Sequence, residues 1–299
     1  MEYHKPVLLE EVLAHLQVKR GNKYIDATLG DGGHTIEILR LGGQVLGIDS
    51  NQKSLDRSTQ RIKDLSLDQA FIGTLGNFKD IDTLASQNEF SEVDGIIFDL
   101  GFSTSELEMD ELGLSFQKDE PLDMRLDKSL GVTAADLLNA LPEKHLEKLI
   151  REYSDEMYAK RIAGSIVKAR NLKKIQTTFH LVDVIKSVTP LGYEHKRIHP
   201  ATRTFQALRI AVNDELTNLK VALPRAAHIL KPGELPENQA GRLIVISFHS
   251  LEDKLVKSFG QTAQPHIRVL TKKPIVPTDA ELAQNVQARS AKMRVFEKV

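Results

Sequence analysis

A chain of 299 residues, 41% hydrophobic and 27% charged, can bury a large core in one or two domains and has the composition of an ordinary globular protein. It has no cysteine, which excludes disulfides and thiolate metal sites, and a net charge of −1, which argues against a globally basic nucleic-acid binder. The start, Met1-Glu-Tyr-His-Lys-Pro6, lacks the basic and apolar regions of a signal peptide. No apolar run nears the roughly 18 residues of a membrane span, so the expected location is cytoplasmic, without membrane contact.

In chain order, Leu8-Leu9-x-x-Val12-Leu13-x-x-Leu16 has the period of an amphipathic helix. Strand signals follow at 23–29, 44–49, 70–75 and 93–100, alternating with helical patterns at 34–41, 52–65 and 78–86. That alternation predicts an α/β fold with a parallel sheet and right-handed crossovers. From about 106 to 200 only helical periods remain, at 133–141, 143–169 and 178–188. The α/β pattern then returns with a long helix at 202–230, a strand at 242–248, a helix at 251–259 and two β-like runs at 266–270 and 292–297. The expected organisation is therefore one α/β domain in two parts, 1–105 and 201–299, interrupted by an all-helical inserted domain over 106–200.

The first strand runs into Asp26-Ala-Thr-Leu-Gly30-Asp-Gly32-Gly33-His34. Glycines on a strand-to-helix turn let the backbone approach a ligand and aim amide N–H groups at an anion. Asp49 ends the second strand 19 positions after Gly30, a spacing that suits contact with ribose hydroxyls. A nucleoside cofactor is the expected ligand. The turn does not have the G-x-G-x-x-G spacing typical of NAD sites, and Asp26 suits a cationic amino group. These features favour S-adenosylmethionine over NAD.

Asp99 ends the fourth strand, at the rim where open α/β sheets bind ligands. It either caps the next turn or accepts a hydrogen bond from an amine whose lone pair must be freed from ring conjugation; Asp99-Leu-Gly-Phe102 loosely matches the arrangement of amino-methyltransferases. His249 either orients substrate or caps a helix. Ser250 with Asp253 reads as a helix N-cap and its N3 carboxylate. The ten histidines lack metal-ligand spacing, and no metal site is expected.

Charge is unevenly distributed. Residues 81–127 hold 13 acidic and 2 basic side chains, whereas residues 157–209 hold 11 basic and 2 acidic. The basic stretch is either a solvated helical surface or a phosphate-binding face on a neutral protein.

Several long segments together resemble the bacterial small-subunit ribosomal RNA cytosine-N4 methyltransferases. They include His4-x-Pro6-Val-Leu-Leu9, the Asp26–His34 turn, Asp94-Gly-Ile-Ile-Phe-Asp99-Leu-Gly-x-Ser103 and Pro121-Leu-Asp-Met-Arg-Leu-Asp127. They continue through His199-Pro-Ala-Thr-Arg-Thr-Phe-Gln206, Ile246-Ser-Phe-His-Ser-Leu-Glu-Asp253 and Arg289-Ser-Ala-Lys-x-Arg294. The resemblance implies a class I, Rossmann-like methyltransferase sheet and S-adenosylmethionine as methyl donor. It also implies a decoding-centre cytosine of 16S ribosomal RNA as acceptor and the small ribosomal subunit as partner. Cofactor contacts carried over are Gly32, Gly33, His34, Asp49, Phe78, Asp99 and Glu106, with Asp99 as the catalytic residue. Phe78 would lie against adenine or anchor the core. Glu106 stands where the family usually has Gln, Leu112 where it has Arg, and Lys254 where it has Arg.

The readings kept beside this one are methylation of another nucleic-acid amine, an NAD-dependent oxidoreductase, and a non-catalytic ribosome-binding protein that retains the pocket.

Overall fold

The computed structural model describes residues 5–101, 111–193, 198–233 and 240–299. They fall into two compact units, one of residues 1–103 and 216–299, the other of residues 104–215.

The first unit is built on seven strands: β1 Lys23–Asp26, β2 Gln44–Asp49, β3 Phe71–Leu75, β4 Gly95–Asp99, β5 Arg242–Ser247, β6 Ile267–Val269 and β7 Lys292–Lys298. Their order is β3-β2-β1-β4-β5-β7-β6. Strands β1 to β5 pair in parallel, and β7 runs antiparallel to both β5 and β6. The order reverses between β1 and β4, which opens a crevice at their carboxyl ends. This is the Rossmann-like sheet that the resemblance implies.

The central strands are apolar on both faces because helices cover both. Ile25, Leu46, Ile48, Ile96, Phe98 and Leu243 pack with Leu219 and Leu223 of helix Glu215–Ile229. Tyr24, Val45, Ile97 and Ile244 pack on the other face with Val12 and Leu16 of helix Leu9–Leu16 and Ile36 of helix Gly33–Arg40. Among the described residues, no helix is long and apolar enough to cross a membrane.

Strand β1 stops at Asp26 rather than 29, yet the amides of Ala27 and Leu29 still bond Ile97 O and Ile48 O, each at 2.9 Å. The glycine turn is thus stitched between β4 and β2 before its helix begins.

The second unit is helical. Helices Ala134–Ala140, Glu143–Ser154, Ala159–Leu172, Thr178–Lys186 and Thr202–Asn213 surround a core that includes Leu138, Leu146, Ile150, Ile162, Ile166, Leu181, Ile185, Phe205 and Leu208. The boundary expected at 200 is corrected to 215, because Phe205, Leu208 and Val212 belong to this core.

Two predicted long helices are each broken at an Asp in the left-handed region, a conformation that short polar side chains tolerate. At Asp155 (φ +51°), the buried Glu156 carboxylate restarts the chain by accepting Tyr158 N–H at 2.8 Å and the Tyr193 hydroxyl. At Asp214 (φ +50°), the Asn213 side chain is drawn away to Leu126 N–H (3.0 Å) and Met124 C=O (2.8 Å). Arg209 meanwhile forks onto Glu215 at 2.8 and 3.0 Å.

That Asn213 contact secures the segment 121–127. Buried Met124 sits at φ +62°, a conformation costly for a non-glycine residue. Beside it, the Asp123 carboxylate accepts from Arg125 Nε at 2.7 Å and Lys128 Nζ at 2.8 Å. Burial opposes ionisation of Asp123, but the hydrogen bonds from Arg125 and Lys128 outweigh it and bring the pKa down to about 2. A depressed carboxylate contributes stability that is fully present above the ordinary pKa and lost as pH falls through the folded value. Asp123→Asn, which mimics the protonated form, should therefore destabilise the helical unit by about 1 kcal/mol at pH 7. Denaturant unfolding should show a deficit, reduced by solvent screening of this partly exposed pair, that shrinks as pH falls below 4 and approaches 2.

Candidate functional site

The carboxyl ends of β1, β2 and β4 bring the glycine turn and three carboxylates to one rim. Gly30 and Gly32 take φ of +50° and +74°, which an L side chain adopts only with strain. Gly32 is the N-cap of helix Gly33–Arg40, so the first amides of that helix are open to an anionic ligand group. A Cβ on Gly33 would lie 3.1 Å from the Pro6 ring, which places Pro6 against the turn.

Asp49 is buried, and its carboxylate is aligned by two backbone amides. Oδ2 accepts from Gly30 N–H at 2.9 Å and Oδ1 from Asn51 N–H at 2.8 Å. After β3 the chain turns back here, Gly76 N–H bonding Asp49 C=O at 2.8 Å. Phe78 begins a short 3-10 turn, Phe78–Asp80, and meets buried Phe98 edge-on at 5.6 Å. Its ring therefore packs on the core, one of the two roles open to it in the sequence.

Asp26 lies deeper, and its oxygens are engaged inside the protein: Oδ2 by the Thr35 hydroxyl at 2.7 Å and Oδ1 by Thr28 N–H at 3.3 Å. Burial pushes its carboxyl above the ordinary range, with Asp99 adding to the shift, while His34 and the two hydrogen bonds oppose it. Asp26 is thus a buried strut under the turn, whereas its place before the glycines suggests an exposed partner for an amine.

Asp99 is partly exposed at the end of β4. Its backbone N–H donates to Thr28 Oγ1 at 2.7 Å, and Oδ1 accepts from Gly101 N–H at 3.3 Å. Oδ2 is 3.4 Å from Nε2 of buried His34. Sequence reasoning gives no role to Thr28 or Thr35; the signal available is a hydroxyl two residues after a buried acid and another at the start of the next helix. Glu106, and Phe102 and Ser103 before it, lie outside the described residues.

His249 is the N-cap of helix Ser250–Thr262, with Glu252 closing a capping box. The expected Ser250–Asp253 cap is thus one residue out of register. Asp253 turns to β7, where it takes Arg294 Nε at 2.7 Å.

The Gly30–Asp49 bond and the approach of His34 to Asp99 thus join the glycine turn, Asp49 and Asp99 at the carboxyl ends of β1, β2 and β4, while Phe78 packs on Phe98 after the end of β3. Anion-ready amides at one point and carboxylates elsewhere suit a zwitterionic, ribose-bearing ligand with a further positive charge.

The family model for the MraW methylase family matches residues 1–299. Among curated proteins, the chain is 41% identical over 318 residues to "Ribosomal RNA small subunit methyltransferase H" of Carboxydothermus hydrogenoformans, a match covering 100% of this chain and 99% of that protein. It is 43% identical over 317 residues to the protein of the same name from Pelobacter propionicus, covering 99% of this chain and 98% of that protein.

Proposed function

The chain belongs to the MraW methylase family, and on that footing we propose that it transfers the methyl group of S-adenosylmethionine to N4 of a decoding-centre cytosine in 16S ribosomal RNA. The observation that carries this reading is the convergence of the glycine turn, Asp49 and Asp99 on one crevice in a chain related along its whole length to small-subunit rRNA methyltransferases.

In this reading the first amides of helix Gly33–Arg40 take the methionine carboxylate, Asp49 takes the ribose hydroxyls and Phe78 borders the adenine. The cofactor supplies an electrophilic methyl on a sulfonium. The N4 lone pair forms the new C–N bond as the C–S bond breaks, leaving S-adenosylhomocysteine, and one N4 proton is released to solvent water. Asp99 accepts the hydrogen bond from that N–H, which favours a pyramidal nitrogen and places the lone pair in line. Orientation and one well-placed acceptor supply the catalysis.

Asp49→Ala should weaken S-adenosylmethionine binding by about tenfold or more, because it removes an aligned, charged acceptor. Isothermal calorimetry with S-adenosylmethionine and with NAD tests this directly; wild-type binding of NAD without S-adenosylmethionine would turn the reading into the oxidoreductase alternative.

The partner in this reading is the small ribosomal subunit in the cytoplasm, contacted through the helical unit. From Met157 to Val182 the sequence has no acid. Lys160, Lys168, Lys173, Lys174 and Lys186 are exposed and have no ion-pair partner among the described residues. In the preceding helix two cations are paired, Arg151 to Glu147 at 2.8 Å and Lys148 to Glu152 at 3.9 Å. Exposed lysines without acids beside them suit a phosphate backbone. Arg170 is spent on the carbonyls of Leu138 and Leu141, at 2.6 and 2.7 Å, and Arg209 on Glu215. Lys196 and Arg197 lie outside the described residues.

A further inference from the structure

Two side chains meet Asp99 from different elements. Thr28, just past β1, accepts the Asp99 backbone N–H at 2.7 Å. This is a bond across the sheet at the point where β4 ends, and Val in its place would leave that N–H without its acceptor. His34, in the first turn of helix Gly33–Arg40, brings Nε2 to 3.4 Å from Asp99 Oδ2, with side-chain exposures of 5% and 17%.

The His34 ring is the less expected feature. It is buried, and neither ring nitrogen has a hydrogen-bond partner among the described residues. A buried polar group left unpaired is costly, so such a ring beside a strand-end carboxylate calls for an explanation. The acceptor it faces is Asp99 Oδ2. At 3.4 Å the pair is longer than a typical N–H···O hydrogen bond but within ion-pair reach.

We propose that Thr28 and His34 are positioning residues for Asp99, Thr28 fixing its main chain and His34 Nε2–H fixing the rotamer of its carboxylate. The inference rests on the reading of Asp99 as the acceptor for the cytosine amine. It gives the His34 side chain a duty distinct from the backbone contact with the cofactor. One carboxylate oxygen is then oriented by Gly101 and the other by His34, so the acceptor is set before substrate arrives. Preorganisation of this kind acts on the chemical step and leaves cofactor affinity largely untouched.

The test combines single-turnover methylation of unmodified small subunits with calorimetry for the cofactor. Thr28→Val and His34→Ala should each slow turnover at saturating cofactor by about tenfold or more, with the S-adenosylmethionine Kd held within about threefold. Thr28→Ser, which keeps the acceptor, and His34→Gln, which keeps a donor near Nε2, should recover most of the rate. In an Asp99→Ala background, His34→Ala should have no further effect, because the residue it positions is gone. The second readout needs no cofactor: 15N shifts of the His34 ring should show an Nε2-protonated tautomer that changes in Asp99→Ala. Equal rate losses for His34→Ala with and without Asp99, or ring shifts indifferent to Asp99→Ala, would overturn the inference. So would a weakened Kd with full turnover at saturation. Wild-type turnover by Asp99→Ala would instead remove the catalytic reading, while the ring shifts would still report whether His34 holds the carboxylate.

Discussion

Asp99→Ala should lose about 10²-fold or more in single-turnover methylation with little change in melting temperature. The internal bonds of this residue explain the split. Its one strong hydrogen bond, from the backbone N–H to Thr28 Oγ1 at 2.7 Å, survives truncation of the side chain. Among the described residues, the carboxylate itself makes only a 3.3 Å bond to Gly101 N–H and the near approach to His34. As a turn cap it is therefore weak. Removing it also takes a negative charge from beside Asp26, whose carboxyl Asp99 helps to push upward, and that change works in the stabilising direction. Asp99→Asn keeps an acceptor oxygen without the charge and should fall between alanine and wild type. The alternative, a structural cap, requires the opposite pattern: a clear loss of melting temperature with turnover per folded molecule intact. Single-turnover assays run beside thermal melts of both variants separate the two.

The first four strands could be read from the sequence because each is a short run that ends in an acid or is followed by a glycine, and the helices between them keep a 3.6-residue period. The breaks at Asp155 and Asp214 could not. Apolar positions continue at helical spacing across both, and what stops each helix is distant in sequence: Tyr193 holding Glu156, and the backbone at Met124 and Leu126 holding Asn213. The same reason moves the boundary of the helical unit to Glu215.

At the crevice, the glycine turn, Asp49 and Asp99 are visible as residue types at strand ends. What Thr28 and Thr35 do is not, since their partners, Asp99 and Asp26, lie across the sheet and across the glycine turn. Asp26 looks from sequence like a ligand-facing acid because it precedes the glycines, yet only the fold reveals that Thr35 and Thr28 already occupy its oxygens. Charge counting misleads in a similar way at Arg170 and Arg209, which the fold spends on carbonyls and on Glu215.

That sorting of the cations sharpens the second large expectation. Replacing Lys168, Lys173, Lys174 and Lys186 together by Ala should weaken binding to small ribosomal subunits and flatten its salt dependence. Every lysine that neutralises a phosphate adds about 0.7–0.9 to the steepness of log K against log salt, so removing four working lysines reduces that steepness by roughly 3. Fold stability should barely change, because these side chains are exposed and break no ion pair when removed. Arg151→Ala and Lys148→Ala serve as the comparison: those cations are already satisfied by Glu147 and Glu152 and should leave the slope nearly as it was. Filter binding across a salt series, with calorimetry confirming unchanged cofactor affinity, makes the measurement. A quadruple variant with the wild-type slope would mean that the acid-free face is only a solvated surface and that the subunit is held elsewhere on the chain.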